Sequence, residues 1–358
     1  MKPVKDGYRV AVVGASSLLG KELTSVLEEG KFPVARLVTI EADGSEPELP
    51  IIDLNGAAEA VLEDTQIQEG DLDFAFFAAR IQQPPAFLGA WREQGNPAQC
   101  LVIDVVGEGR GALGDPSGGG TGAGDLVGIP FLDRRFPTPG VHSAAGRFHV
   151  SAHPAVIVIS SLLLRLAARF PLRSAVAEVF CPASESGSRG VDELQRQTVN
   201  ILGFQKISHP VFGAQLAFNL LSRLGKSAKG EMASLEVRLR RQLGQYLGGR
   251  VPRPALRLIQ VPVFYSVGVS LYVETVEPVA VEAATAALAG ERIKVRKPNL
   301  DPPTQVEVTG SSDILVDSVA IDADHPHGIW LWAVVDNLHL AATNAVELAA
   351  SLREQARA

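Results

Sequence analysis

The segment Gly14-Ala-Ser-Ser17-Leu-Leu-Gly20 joins a short apolar run, Tyr8 to Gly14, to a stretch with helical spacing. At such a junction the backbone N–H groups and the positive end of the helix can hold a pyrophosphate. The first glycine permits a tight turn and the last permits close packing of the helix. The middle position is Ser17, which restricts how closely a phosphate can approach. Gly14, Ser16, Ser17, Leu18, Leu19 and Gly20 are therefore the candidate cofactor-binding residues, although the same spacing also serves a plain first βα turn. The next apolar run ends in Glu41, Ala42 and Asp43. An acidic side chain there, with Asp43 as the candidate, can bind the ribose diol of NAD and repel the extra phosphate of NADP; the alternative is a solvated loop. His153 has the chemistry of a nucleophile or base, or it is a polar residue lining a cleft. Cys181 lies inside an apolar strand, where a thiolate needs a nearby cation to form. His325 and His327 flank a proline, and two imidazoles without a third ligand make a surface turn rather than a metal site.

These residues need a frame. Tyr8–Gly14, ARLVTIEAD, LDFAFFAA and CLVIDVVG read as strands, with helical segments LLGKELTSVLEEG and PAFLGAWREQG between them. Fully apolar strands alternating with helices predict a parallel sheet covered on both faces, a doubly wound half. A glycine-rich stretch over residues 107–124 is too poor in side chains to pack and reads as a surface insertion or lid. Beyond it, FHVSAHPAVIVISSLLLRLAARF runs from strand to helix, and SAVAEVFCPAS is another strand followed by the helix DELQRQTVNIL. LRLIQVPVFYSVGVSLYVET holds two strands, VAVEAATAALAG a helix and GIWLWAVVDN a strand. The closing LHLAATNAVELAASLREQA is an amphipathic helix. The whole predicts an α/β protein with a second, α+β region.

Bulk composition is consistent with this. With 358 residues, 46% hydrophobic and 20% charged, the chain has globular composition and the length of two domains. A net charge of −7 argues against nucleic acid, which requires a concentrated positive face. Arg238, Arg240 and Arg241 alternate with leucines and are expected on a solvated helix face. No apolar run is long enough to span a bilayer, so a cytoplasmic protein with no membrane partner is expected. Cys100 and Cys181 sit in apolar stretches and read as buried thiols of a reducing compartment.

GIWLWAVVDNLHLAATNAVELAA resembles the C-terminal signature of aspartate-semialdehyde dehydrogenases, through Asp336, Asn337, Leu338, Ala341, Ala342, Asn344, Ala345 and Val346. QLAFNLL, VPVFYSV, YVET, the opening VAVVGASSLLG and CLVIDVVGEGR resemble further blocks of that family, in order and with its spacing. The resemblance implies a Rossmann-type, doubly wound dinucleotide-binding domain over 1–150 plus 337–358. It further implies an α+β substrate and dimerisation domain over 151–336, a homodimer, and NADP as cofactor. The implied reaction is reductive dephosphorylation of aspartyl phosphate, a step of lysine, threonine and methionine biosynthesis. In it a cysteine thiolate forms a thioacyl intermediate, a histidine moves the proton and the nicotinamide delivers hydride.

Carried over residue by residue, that chemistry is missing. The nucleophile position falls on Ala155, the base on Val267, the carboxylate-gripping arginine on Gln260 and the substrate-positioning glutamine near Ala183. Arg110 matches the arginine that binds the substrate phosphate. Ser186 and Gly187 resemble the Ser-Gly turn beside the nicotinamide, and Asn337 belongs to the cofactor set. Glu231 and Glu236 fall where the family has substrate-facing carboxylates. The pattern is similar to catalytically degenerate paralogues of the Usg type, with NAD or NADP as ligand. Two alternatives stand: an active dehydrogenase with a substitute nucleophile, His153 foremost, and an interaction scaffold that binds no small ligand.

Overall fold

The computed structural model describes residues 7–41, 72–81, 100–109, 126–137, 148–228, 230 and 232–355. Asp43, Arg110, Glu231, most of the glycine-rich stretch and the helix expected at PAFLGAWREQG lie outside them. The chain divides into two compact units, one of Met1–Ala152 with Ala341–Ala358 and the other of His153–Leu340.

In the first unit, strands β1 (Tyr8–Val13), β2 (Val34–Ile40), β3 (Phe74–Phe77), β4 (Leu101–Asp104), β5 (Leu126–Gly128) and β6 (Phe148–Ser151) form one sheet in the order β2-β1-β3-β4-β6-β5. Every pairing is parallel. Such a sheet is buried on both faces, and Val10, Ala11, Val12, Phe74, Phe76, Val102 and Ile103 are accordingly inaccessible to water. Helix α1 (Leu18–Glu29) follows β1, and α2 (Pro130–Asp133) is a single turn. The closing helix α7 (Asn337–Gln355) lays Ala341, Ala342, Ala345, Leu348, Ala349 and Leu352 into the core that holds Tyr8, Val12 and Phe74. Small residues bring this helix close to the sheet: a side chain on Gly128 would meet Leu348 Cδ1 at 2.6 Å. Asn344 pins the contact, its Nδ2 donating to the Gly128 carbonyl at 3.0 Å and to Ser151 Oγ at 2.9 Å. Truncating Leu348 or Leu352 to alanine would cost about 2–5 kcal/mol.

The second unit is built on a mixed sheet of β7 (Leu172–Cys181), β8 (Ala255–Gln260), β9 (Val267–Thr275), β10 (Ile293–Val295), β11 (Ile314–Ile321) and β12 (Gly328–Val335), in the order β10-β11-β12-β9-β7-β8. Helix α3 (Pro154–Ala167) packs against β7, β9 and β12. Nearly every residue of α3 is buried, which explains why PAVIVISSLLLRLA is apolar all round rather than along one stripe. Helices α4 (Gly187–Leu202), α5 (Met232–Leu247) and α6 (Val281–Leu288) complete the unit. Strands β10 and β11 went unread in the sequence. The first has three residues, and the second breaks its alternation at a bulge between Asp317 and Ala320, where Ser318 adopts φ +51°.

Among the described residues no helix is long and apolar enough to cross a membrane. Cys100 and Cys181 are both buried and unbridged.

Candidate functional site

In the first unit, the turn after β1 is shaped by close backbone approach. Gly14 has φ +81°, and a Cβ there would meet Ala79 Cβ at 2.3 Å; a Cβ on Gly20 would meet the Gly14 carbonyl oxygen at 2.2 Å. Ser17 is the N-cap of α1, with Oγ accepting from the Gly20 N–H at 2.9 Å and donating to the Ala78 carbonyl at 3.1 Å. The serine side chain is thus turned into the fold, which removes much of the objection to a non-glycine at the middle position. The first-turn N–H groups of Leu18 and Leu19 have no acceptor within the helix, as at any helix start. Ser16 Oγ donates to the carboxylate of Glu41, which immediately follows β2. The amides of Gly14 and Ala15 both donate to the Ile40 carbonyl, at 2.7 and 3.3 Å, so the end of β2 is tied to the turn. The glycines, the capped helix and an acidic residue at the end of β2 together fit a dinucleotide.

In the second unit, the start of α3 carries the residues that the resemblance makes chemical. His153 is the N-cap of α3, with φ −62° and ψ 142°. Its Nδ1 accepts from the Ala155 N–H at 3.2 Å, which requires a lone pair there and puts the ring proton on Nε2. That Nε2 stands 3.2 Å from Glu185 Oε2, to which it donates. The His153 backbone N–H donates to Gln242 Oε1 of α5 at 2.9 Å. Pro154 takes the first helical position, where a missing N–H costs nothing. Ala155 follows it, fully buried.

Glu185 belongs to a 3₁₀ turn, Ala183–Ser186, between β7 and α4. It is ringed by donors. Asn337 Nδ2 lies 3.4 Å from its Oε1, and the positive charge of Arg238 on α5 acts on it. Burial pushes this carboxyl upward, but His153, Arg238 and the Asn337 amide outweigh burial and hold it below the usual carboxylate range. Arg238 therefore departs from the solvated face expected for the arginine cluster: it is half-buried, and its charge acts on the half-buried carboxylate of Glu185. Arg240 instead pairs with Glu236 at 2.7 Å and donates to the Leu256 carbonyl at 2.6 Å. Glu236 is taken up by that surface pair.

The remaining predicted residues are buried and structurally engaged. Asn337 Oδ1 accepts from the Ser266 N–H at 3.0 Å, and its Nδ2 reaches Ser184 Oγ at 3.2 Å. Ser266 sits at φ +72°, a left-handed conformation that costs about 1–3 kcal/mol and needs such support. Val267, directly after it, opens β9 and is fully buried. Gln260 ends β8 and donates its amide to the Cys181 carbonyl at 2.9 Å. Ala183 is fully buried, its N–H bonded to the Val263 carbonyl at 2.7 Å. Burial, aided by the negative charge of Glu185, pushes the Cys181 thiol well above its ordinary value. Ser186 and Gly187 begin α4, and Gly187 has φ +68° with open space where a Cβ would stand. Asp336 caps α7, accepting from the Leu338 and His339 amides at 2.9 and 3.0 Å. Among the described residues no cluster of histidine, cysteine and carboxylate side chains could hold a metal.

Glu185 and Gln242 escaped the sequence reading, and Arg238 was read there only as part of a solvated helix face. Glu185 was legible as a carboxylate set inside a Ser-Gly turn, but its partners come from residues 153, 238 and 337, which no spacing rule connects. Glu41 was noted only within the acidic end of β2, and its bond to Ser16 is a tertiary fact.

The family described as "Semialdehyde dehydrogenase, dimerisation domain" matches residues 163–340. A USG-1 protein homolog of Pseudomonas aeruginosa is 29% identical over 95% of this chain and 96% of its own length. An aspartate-semialdehyde dehydrogenase of Shewanella violacea is 27% identical over 96% of each. The solved structure of a probable aspartate-semialdehyde dehydrogenase from Pseudomonas aeruginosa superposes with a TM-score of 0.78 at 27% identity, covering 98% of this chain and 99% of that one. With that domain, that full-length likeness and the two sheets described above, the chain belongs to the aspartate-semialdehyde dehydrogenase family.

Proposed function

We propose that the chain is a non-catalytic member of this family, which keeps a dinucleotide-binding unit and a dimer-forming sheet. The observation that carries this reading is Ala155 at the start of α3. A methyl group cannot attack an acyl phosphate, and Val267 cannot accept a proton. Losing one member of a nucleophile–base unit costs on the order of 10⁶ in rate, and losing its partner adds little.

The substitutes are poorly placed for the task. His153 uses Nδ1 to cap α3 and Nε2 to bind Glu185, so neither nitrogen has a lone pair to offer a substrate. The Cys181 thiol is buried and held protonated. Gln260 spends its amide on a backbone carbonyl. The turn after β1 fits NAD or NADP, and a bound dinucleotide would supply hydride chemistry that this chain has no acyl intermediate to receive.

The test is turnover by the purified protein with aspartate semialdehyde, phosphate and either NAD or NADP, across pH. No reduction of either nucleotide is expected. Turnover that disappears in His153→Ala or Cys181→Ala would overturn the reading and establish a substitute nucleophile.

A homodimer is part of the same reading. One face of the second sheet carries α3, while the other leaves Val176, Phe180, Tyr272, Trp330 and Trp332 partly exposed. Tyr272 pairs with Trp330 across β9 and β12, their rings 4.9 Å apart, and Phe180 meets Trp332 at 5.4 Å. An aromatic patch over three adjacent strands, within the span that matches a dimerisation domain, suits a second copy of itself. Val176→Glu should convert a dimer to a monomer in sedimentation velocity; a monomeric wild type would refute the assembly.

A further inference from the structure

We propose that a cleft on the second unit, between the segment that follows α4 and the turn at Ser227, binds a small organic phosphate. The inference is independent of the dinucleotide reading, since it concerns the other unit and a different set of residues.

The cleft has a volume of about 550 Å³ and is lined by Lys206, Ile207, Ser208, His209, Pro210 and Ser227. Its polar side chains are an ammonium, an imidazole and two hydroxyls, all able to donate, and none is a carboxylate. Residues 203–228 carry Lys206, Arg223 and Lys226 and neither aspartate nor glutamate, in a chain whose net charge is −7. Among the described residues these three cations, all exposed, enter no ion pair. The N–H groups of Ile207, Ser208 and His209 likewise meet no acceptor among the described residues. Positive charge and open donors gathered in one concavity attract an oxyanion. A phosphate monoester brings about −1.5 to −2 charges and three acceptor oxygens, more than a carboxylate can offer this set of donors.

The walls are held before any ligand arrives. Glu193 of α4, fully buried, accepts from the Val211 and Phe212 amides at 2.5 and 3.2 Å, so the nearby carboxylate is occupied by backbone. Asn200 Nδ2 donates to the Lys206 carbonyl at 3.3 Å, and the Gln205 amide to the Asn200 carbonyl at 2.7 Å. On the other wall, the Gly225 N–H donates to the Phe212 carbonyl at 2.8 Å, and a Cβ on Gly225 would meet the Gly213 carbonyl oxygen at 1.9 Å. The Ala228 amide bonds back to the Gly225 carbonyl at 3.0 Å, which fixes the turn that carries Ser227. A preformed site loses less freedom on binding. Nucleic acid or a membrane surface would need a broad positive face. Here the charge is confined to one loop around a concavity of the size that small molecules occupy.

The experiment is titration of the full chain with phenyl phosphate and with inorganic phosphate, followed by amide shifts in NMR and by calorimetry. Phenyl phosphate should shift the Ile207, Ser208 and His209 amides saturably. It should bind more tightly than inorganic phosphate, because its ring can cover Ile207 and Pro210. Lys206→Ala should weaken it about two- to fivefold, the range of one exposed ion pair, and Lys206→Arg should restore most of the loss. Ser227→Asp places a carboxylate in the lining and should weaken it at least about tenfold. Lys297→Ala removes an exposed cation outside the segment and should leave the affinity unchanged. Weakening by Lys297→Ala equal to that by Lys206→Ala would reduce the effect to net charge and overturn the proposal. Binding unmoved by Lys206→Ala and Ser227→Asp, as for phosphate held at the turn after β1, overturns it too. So does the binding of neither probe; if Ser227→Asp then changes the sedimentation coefficient, the cleft belongs to a contact with a second copy.

Discussion

The turn after β1 and the start of α3 are built alike and have fared differently. Each is a strand leading through a capped turn into a helix, with Ser17 as N-cap of one and His153 of the other. In the first, recognition resides in backbone: two glycines at close approach and amides at a helix start. In the second, the resemblance assigns chemistry to a few side-chain positions, and those carry alanine, valine and glutamine here. Backbone geometry is enforced by packing, because nearly any side chain at Gly14 or Gly20 collides with neighbouring main chain or Cβ. A nucleophile is enforced only by function. Replacing a thiol by a methyl group at Ala155 leaves a helix start that is well capped and fully packed. On the proposed reading, the comparison teaches that a fold can keep a binding turn through its own stability while losing catalysis without penalty to folding.

Gly20→Ala should have the largest effect. Propensity favours alanine over glycine in a helix by about 1 kcal/mol, yet the new Cβ would lie 2.2 Å from the Gly14 carbonyl oxygen, which cannot rotate away. A net loss of about 1–3 kcal/mol in urea denaturation is expected, together with lost nucleotide binding. A stabilised variant would show that the turn is looser than described and would break the comparison.

Asn337→Ala tests the other side. It leaves the buried Ser266 N–H without its acceptor and removes a donor from Glu185. A cost of about 1–3 kcal/mol is expected, with no change in nucleotide affinity. A selective loss of nucleotide binding at unchanged stability would instead return Asn337 to the cofactor set.

Glu185→Gln gives the smallest and most diagnostic change. The folded carboxyl titrates below its unfolded value, so ionisation stabilises the fold above the unfolded value. That contribution is lost as pH falls through the folded one. The variant should be less stable than wild type near neutrality, and the gap should close as pH drops below about 4. A gap independent of pH would mean that Glu185 acts through shape rather than charge.

Much of the frame was legible because it rests on local pattern. Apolar runs marked strands of the first unit, and FHVSAHPAVIVISSLLLRLAARF was readable as a strand running into a helix. The DNLHLAATNAV block was readable as a signature, yet its physical roles were not: Asp336 caps a helix, and Asn344 ties that helix to β5 and β6. Strands β10 and β11 escaped because one is too short for alternation and the other interrupts its own.

The sequence by itself determined the alternation of strands and helices, the glycines of the first turn, and the residue types at Ala155 and Val267, on which the resemblance places a thiol and an imidazole. These follow from residue type and from periods of two and 3.6, which are properties of neighbours along the chain. Only the tertiary structure decided that His153 is held by Glu185, that Arg238 acts on that half-buried carboxylate, and that Ser16 holds Glu41. Those pairs are 32, 53 and 25 residues apart. Hydrogen bonds and charges act over a few ångströms of space, and sequence separation carries no measure of that distance.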